Sequence, residues 1–330
     1  MNFWSREKWE TSFWDKKIPV SAHVSRIDLL THLPAYIGPG FFRKYQEFSV
    51  RHRAISHPPK PCFNEDTSLP TIEITIDCAA KDAKLITKII EYAELNVLNP
   101  IASIKVVVPS SDFEIIYSLI GEKSFRAQII VLDEDTILDN ELRQRIKRLY
   151  PNRYGWMIHQ FLTLQQVLNS TSKGILSIDA DTLILRPMAF MNNSGVQILM
   201  ESLEYNKPYY EFLNKISTKY PVESPSHITH YSFFQKELLL GILDQLGIVN
   251  LIQIVDFIEM YADLNSLSPI CIDRELYALG LIAFYPDTYT LVKFANVSVS
   301  LEEILDPKKV EAFSEKYNSI SAHSYLQTQV

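Results

Sequence analysis

From residue 71 onward the sequence predicts an α/β fold, a mainly parallel sheet flanked by helices. Three observations carry this. Apolar, β-branched runs of strand length alternate with segments of helical periodicity, the runs end on an acid or a proline, and no internal repeat points to a solenoid. Strands separated by helices imply parallel pairing through right-handed crossovers.

The elements follow in order. Thr71-Ile-Glu-Ile-Thr-Ile76 is rich in β-branched residues and ends at Asp77, which makes it the first strand. A helix is expected over Lys81–Leu95, where Leu85, Ile86, Ile89 and Ile90 share a face. Ile104–Val108 is a second strand, stopped by Pro109, and Phe113–Ile120 a helix. Gln128–Leu132 is strand three, Glu141–Leu149 and Tyr154–Leu168 are helices, and 174–178 is strand four. The pattern then loosens into a strand at Val196–Met200, helices at Tyr209–Thr218 and Phe233–Leu246, helices around 250–263 and 274–283, and a mixed tail ending near His323. Ser232 with Gln235 reads as a capping box for the helix at 233.

Residues 1–70 form a separate N-terminal extension. Trp4, Trp9 and Trp14 lie here, and Phe41, Phe42, Tyr45 and Phe48 interleave with Arg43, Lys44, Arg51 and Arg53. Residues 1–60 hold ten Lys/Arg against five Asp/Glu, a net of +5, so a chain of net −7 leaves −12 for the remainder. Such a segment suits contact with an anionic membrane surface, although aromatics that pack onto the main domain are the more ordinary reading. Pro58, Pro59 and Pro61 mark a stiff linker. The main domain, 71–330, divides into a regular half (71–187) and an irregular half (188–330).

Composition narrows the class. The chain of 330 residues is 47% hydrophobic and 22% charged, as globular proteins are. No apolar run approaches the roughly 18 residues that span a bilayer. The opening Met-Asn-Phe-Trp-Ser-Arg-Glu-Lys-Trp-Glu lacks the apolar core of a signal peptide, so a cytoplasmic location is expected, peripheral to the inner face of the membrane if residues 1–60 dock there. Cys62, Cys78 and Cys271 are odd in number and form no CxxC pair, which favours a reducing compartment and argues against structural zinc. The acidic balance offers no reason to expect a nucleic-acid partner.

The most informative segment is Ile-Leu-Ser-Ile-Asp-Ala-Asp-Thr-Leu-Ile-Leu-Arg-Pro, residues 175 to 187. A buried strand delivers Asp179 and Asp181 to its carboxyl end, the edge where open α/β sheets bind ligands. Two acids one residue apart repel when desolvated, so they face water or a cation. Asp133-Glu134-Asp135 repeats the pattern after strand three, and a solvated strand-to-loop turn has the same appearance.

The Asp179/Asp181 segment resembles the Asp-x-Asp motif of metal-dependent glycosyltransferases of the GT-A fold. Arg153-Tyr-Gly-Trp156-Met-Ile-His159-Gln160 is similar to a Gly-Trp-x-x-Gln-Gln run of a bacterial family of GT-A-like proteins, with His159 in place of the first glutamine. His230 before Phe-Phe-x-Lys-Glu and His323 in a terminal His-Ser-Tyr also match that family, and Cys271-Ile-Asp-Arg-Glu-Leu-Tyr-Ala-Leu-Gly280 resembles its Ser-Glu-Tyr-Glu-x-Tyr-Gly stretch, with Asp273 where Glu is usual. The likeness runs through short motifs across 71–330.

It implies a GT-A-like sheet, with 71–187 binding the nucleotide and 188–330 the acceptor. It also implies transfer of a sugar from a UDP- or GDP-sugar to a hydroxyl of a glycan or glycolipid in bacterial surface polysaccharide synthesis. Mn²⁺ or Mg²⁺ would sit on Asp179 and Asp181, completed by His323 or His230. Asp77, Arg153, Trp156, Gln160 and Asp179 would contact the donor. Glu275 or Asp273 would be the general base of an inverting displacement. Two rivals stand beside this. Asp179-Ala-Asp181-Thr182 also resembles the nucleophile motif of haloacid-dehalogenase-type phosphatases, although that fold carries it on the first strand with a later Gly-Asp-x-x-x-Asp, and neither is present. The other is a non-catalytic glycan-binding protein on a transferase fold.

Overall fold

Residues 69–202, 207–220, 226–262 and 270–322 are described by the structure, a computed structural model; the N-terminal extension and His323 lie outside them. β1 (Ile72–Asp77) leads through a short turn to α1 (Ala83–Asn96), followed by β2 (Ile101–Val108), α2 (Phe113–Gly121) and β3 (Gln128–Asp133). Then come α3 (Asn140–Leu149), α4 (Tyr154–Asn169), β4 (Gly174–Asp179), β5 (Thr182–Ile184) and β6 (Gln197–Glu201). The second half holds α5 (Lys207–Ile216), β7 (Tyr231–Gln235), α6 (Lys236–Gln245), α7 (Leu251–Tyr261), α8 (Arg274–Phe284), β8 (Tyr289–Lys293), β9 (Asn296–Ser298), α9 (Leu301–Leu305), α10 (Pro307–Ser314) and β10 (Ser319–Ser321).

The central sheet has five strands in the order β3-β2-β1-β4-β7, parallel except for β7. Both of its faces are covered, so the strands are apolar on both sides. Ile72, Ile74, Ile76, Leu176 and Ile178 pack with Leu85, Ile86 and Ile89 of α1, while Ile175 and Val107 join Phe161 of α4 in a second core that takes in α6, α7 and α8. Because strand side chains alternate with period two, Asp77 and Asp179 point to the α4 side. The sheet is therefore the mainly parallel, helix-flanked one expected.

One expectation is corrected. Tyr231–Gln235, read as the start of a helix capped by Ser232 and Gln235, is a strand antiparallel to β4, with Phe233 opposite Leu176 and Ser232 opposite Ser177, and the helix starts at Lys236. Tyr231, Phe233 and Phe234 are all buried, and closing the sheet's edge outweighs the local capping signal. Two smaller sheets complete the fold, β5-β10-β9 and β6-β8. The first brings the C-terminal segment back to the motif, where the Ala322 amide donates to the Asp181 carbonyl at 2.8 Å. Among the described residues no helix is long and apolar enough to cross a membrane.

Candidate functional site

From β1 the chain runs outward to β2 and β3, whereas β4 lies on the other side of β1. The order reverses between β1 and β4, and such a switch point opens a crevice at the carboxyl ends of the strands. Asp77 and Asp179 are the last residues of those two strands and direct partners in their register. Two carboxylates this close would repel, and the structure sets hydrogen-bond donors and a guanidinium against them.

His159, on the second turn of α4, lies between them. Its Nδ1 donates to Asp77 Oδ2 at 2.6 Å, and its Nε2 is 3.7 Å from Asp179 Oδ1. Burial works against the imidazolium, but the Asp77 carboxylate outweighs it and raises the His159 pKa. Asp179 also accepts from Arg274 Nη2 and from His230 Nδ1, the latter at 3.2 Å, and its amide donates to the His230 carbonyl at 2.8 Å. Burial would raise the Asp179 pKa, yet Arg274, His230 and His159 together hold it well below the usual carboxylate range.

Asp181 stands two residues on, half-buried, its Oδ1 accepting from Thr182 Oγ1 at 3.0 Å. Asp82, in the turn after β1, adds a further acid: burial raises its pKa and the charges of Asp181 and Asp179 raise it more, partly offset by Lys81. Asp77 Oδ1 is buried without a hydrogen-bond partner among the described residues. The other acidic repeat lies beyond β2, at the end of β3, where Ser110 Oγ donates to Asp133 Oδ1 at 2.7 Å and Arg143 pairs with Asp135.

The donor set suits a hard divalent cation. Mg²⁺-type ions take one or two protein carboxylates and complete their shell with water and substrate phosphates. Asp179 and Asp181 supply the carboxylates. No three His, Cys, Asp or Glu side chains converge on one point among the described residues. His323 follows Ala322, the last described residue, which is bonded to Asp181.

The structure places the other expected site residues as follows. Glu275 is fully buried: its Oε1 accepts from Tyr210 Oη at 2.8 Å, Ser226 Oγ at 2.9 Å and the His227 amide at 2.8 Å. An acid enclosed in this way braces the 226–227 segment. Asp273, also fully buried, is the N-cap residue of α8 and sits beside Cys271. Gln160 is buried and turned to backbone groups. Its Oε1 accepts from the Ile272 amide at 2.7 Å and its Nε2 donates to the Ile270 carbonyl at 3.1 Å, a clasp on the segment that leads into α8. Trp156 is half-buried and stacks on Tyr209, ring centroids 6.1 Å apart. Arg153 is exposed at the N-terminal end of α4. His230 is directed at Asp179, as an orienting group for that acid.

Sequence reasoning left Arg274 without a role and treated His159 as a departure from the motif. The signal for both is chemical: paired strand-end acids in a buried setting call for donors and counter-charge, and the topology supplies an imidazole and a guanidinium.

No family model matches the sequence, and no curated protein matches it. Solved structures do. Mouse xyloside xylosyltransferase 1, in its apo form, is similar over 77% of this chain and 98% of that one, at 10% identity and a TM-score of 0.41. The PaToxG glycosyltransferase is similar over 76% of this chain and 80% of that one, at 14% identity and a TM-score of 0.37. An active-site mutant of LgtC is similar over 76% and 86%, at 10% identity and a TM-score of 0.38.

Proposed function

We propose that this protein is a metal-dependent glycosyltransferase whose nucleotide-sugar donor lies across the crevice between β1 and β4. The observation that carries this reading is the alignment of Asp77 with Asp179 at a topological switch point, with Asp181 two residues beyond and His159 and Arg274 as their counter-charges. Asp77, with one oxygen fixed by His159 and the other without a partner among the described residues, suits a ribose hydroxyl or a base N–H. Asp179 and Asp181, joined by His323, would hold Mn²⁺ or Mg²⁺, and the bound cation would neutralise charge developing on the diphosphate leaving group. Arg153 lies at the end of α4 that adjoins the strand tips, because a crossover helix runs antiparallel to its strands, and it remains a donor contact in this reading.

In the same reading, residues 71–187 form the donor half and 188–330 the acceptor half. The acceptor is a glycan or glycolipid hydroxyl, as in bacterial surface polysaccharide synthesis, and residues 1–60 bring the enzyme to the membrane that carries it.

Calorimetric titration with UDP and GDP, each with and without Mn²⁺, tests the reading. Metal-dependent binding in the wild type, lost in Asp181→Ala with the fold intact, is the expected result. Binding of glycans without nucleotide would favour a lectin-like protein, and hydrolysis of simple phosphate esters by Asp179 would favour a phosphatase.

A further inference from the structure

Arg274 is the first residue of α8, and its side chain is about nine-tenths buried (10% exposed) against Asp179 (23% exposed). A guanidinium carries five N–H donors in a planar fork. Here one nitrogen meets a carboxylate, while Nε is buried with no partner among the described residues. The backbone beneath it is fixed, since Gln160 clasps both Ile270 and Ile272. Arg274 is thus an under-satisfied cation on a rigid base, neutralising the very acid that the donor-site reading gives to the metal. A cation on Asp179 and an arginine on Asp179 compete for the same charge. A diphosphate, which offers the fork two oxygens at once, competes with Asp179 for the arginine.

We infer that Arg274 is an exchangeable counter-ion: it guards Asp179 in the ligand-free protein and transfers to the donor's diphosphate when the cation takes Asp179. The inference rests on the donor-site reading above. Its consequence is coupling. Either ligand favours the state in which the Arg274–Asp179 pair is open, so each raises the affinity for the other, and the effect is reciprocal.

The test measures binding of Mn²⁺ alone, and of inorganic pyrophosphate alone in the presence of a chelator, to the full chain and two variants. Arg274→Gln uncovers Asp179, so Mn²⁺ should bind about fivefold or more tighter, the lower end of typical coupling, while pyrophosphate binds correspondingly weaker. Asp179→Asn frees Arg274 and should do the reverse, tightening pyrophosphate and weakening Mn²⁺. A merely structural arginine would lower both affinities together, and that parallel loss, or no change, overturns the exchange. If Arg274→Gln fails to fold by circular dichroism, Asp179→Asn decides alone: unchanged or weakened pyrophosphate binding rejects the proposal. A wild-type protein that binds neither probe overturns the donor-site reading itself, and the exchange with it.

Discussion

Glu275 accepts three hydrogen bonds through a single oxygen, so what the site asks of it is an acceptor, not a proton shuttle. Glu275→Gln keeps that oxygen and should leave kcat within about tenfold of the wild type, whereas loss of a general base costs roughly 10²–10⁴. A loss in that larger range, measured in steady-state assays, would return Glu275 to the reaction. Glu134, at the end of β3, behaves differently. Burial first, then the charges of Asp135 and Asp77, pushes its pKa up to about 7 from an ordinary 4.5. A raised acid binds its proton more tightly folded than unfolded, so its contribution is fully present below 4.5 and is lost as pH rises through about 7. Stability should therefore decline across that window, and Glu134→Gln should flatten the decline when urea midpoints are measured from pH 4.5 to 8.

At the scale of elements, α4 ties the site together, because adjacent residues face different neighbours. His159 reaches the strand-end acids and Gln160 the segment before α8. Gln160→Ala leaves the Ile272 amide and Ile270 carbonyl unmatched in the core, at about 1–3 kcal/mol for each group. Urea denaturation should report a loss of that size, and a change within 0.5 kcal/mol, the level of an ordinary surface substitution, would remove the clasp. β4 and β7 depend on a close approach: a Cβ on Gly174 would stand 2.1 Å from Phe233 Cζ, and that ring is itself stacked on Phe190 at 6.1 Å. Gly174→Ala should cost about 1–3 kcal/mol, as overpacking does, visible as a lowered Tm. These elements were unequally legible. β1 to β4 could be read because each is a long apolar run bounded by a stop signal, and Asp77 and Asp179 because acids that end such runs stand out. β7 could not, since five residues with adjacent phenylalanines suit a helix start as well as a strand until β4 is beside them. Nothing in the sequence around Arg274 marks a partner, and only the fold, which spans 95 residues of sequence to reach Asp179, reveals it.

Across the whole molecule the two ends of the sheet divide their tasks. At the amino end, Glu73 is paired with Lys105 at 3.0 Å and receives Ser170 Oγ at 2.7 Å, a satisfied and closed arrangement. At the carboxyl end Asp77 Oδ1 is buried with no hydrogen-bond partner among the described residues, and the Asp82 carboxyl is raised by burial. The sequence carries a charge imbalance along its length, with +5 in residues 1–60 against −12 in the rest. A basic, aromatic segment joined to an acidic domain has two electrostatic outlets, an anionic lipid surface or the domain itself. Salt weakens both, since the screening length falls to about 8 Å at physiological ionic strength, so salt sensitivity alone does not separate them. Lipid charge does. If residues 1–60 dock on membranes, vesicles containing phosphatidylserine should retain the full chain at low salt and release it as salt rises, while neutral vesicles and a chain lacking residues 1–60 show no retention. Equal recovery with both vesicle types, in a sedimentation assay, would assign the segment to the protein's own acidic surface.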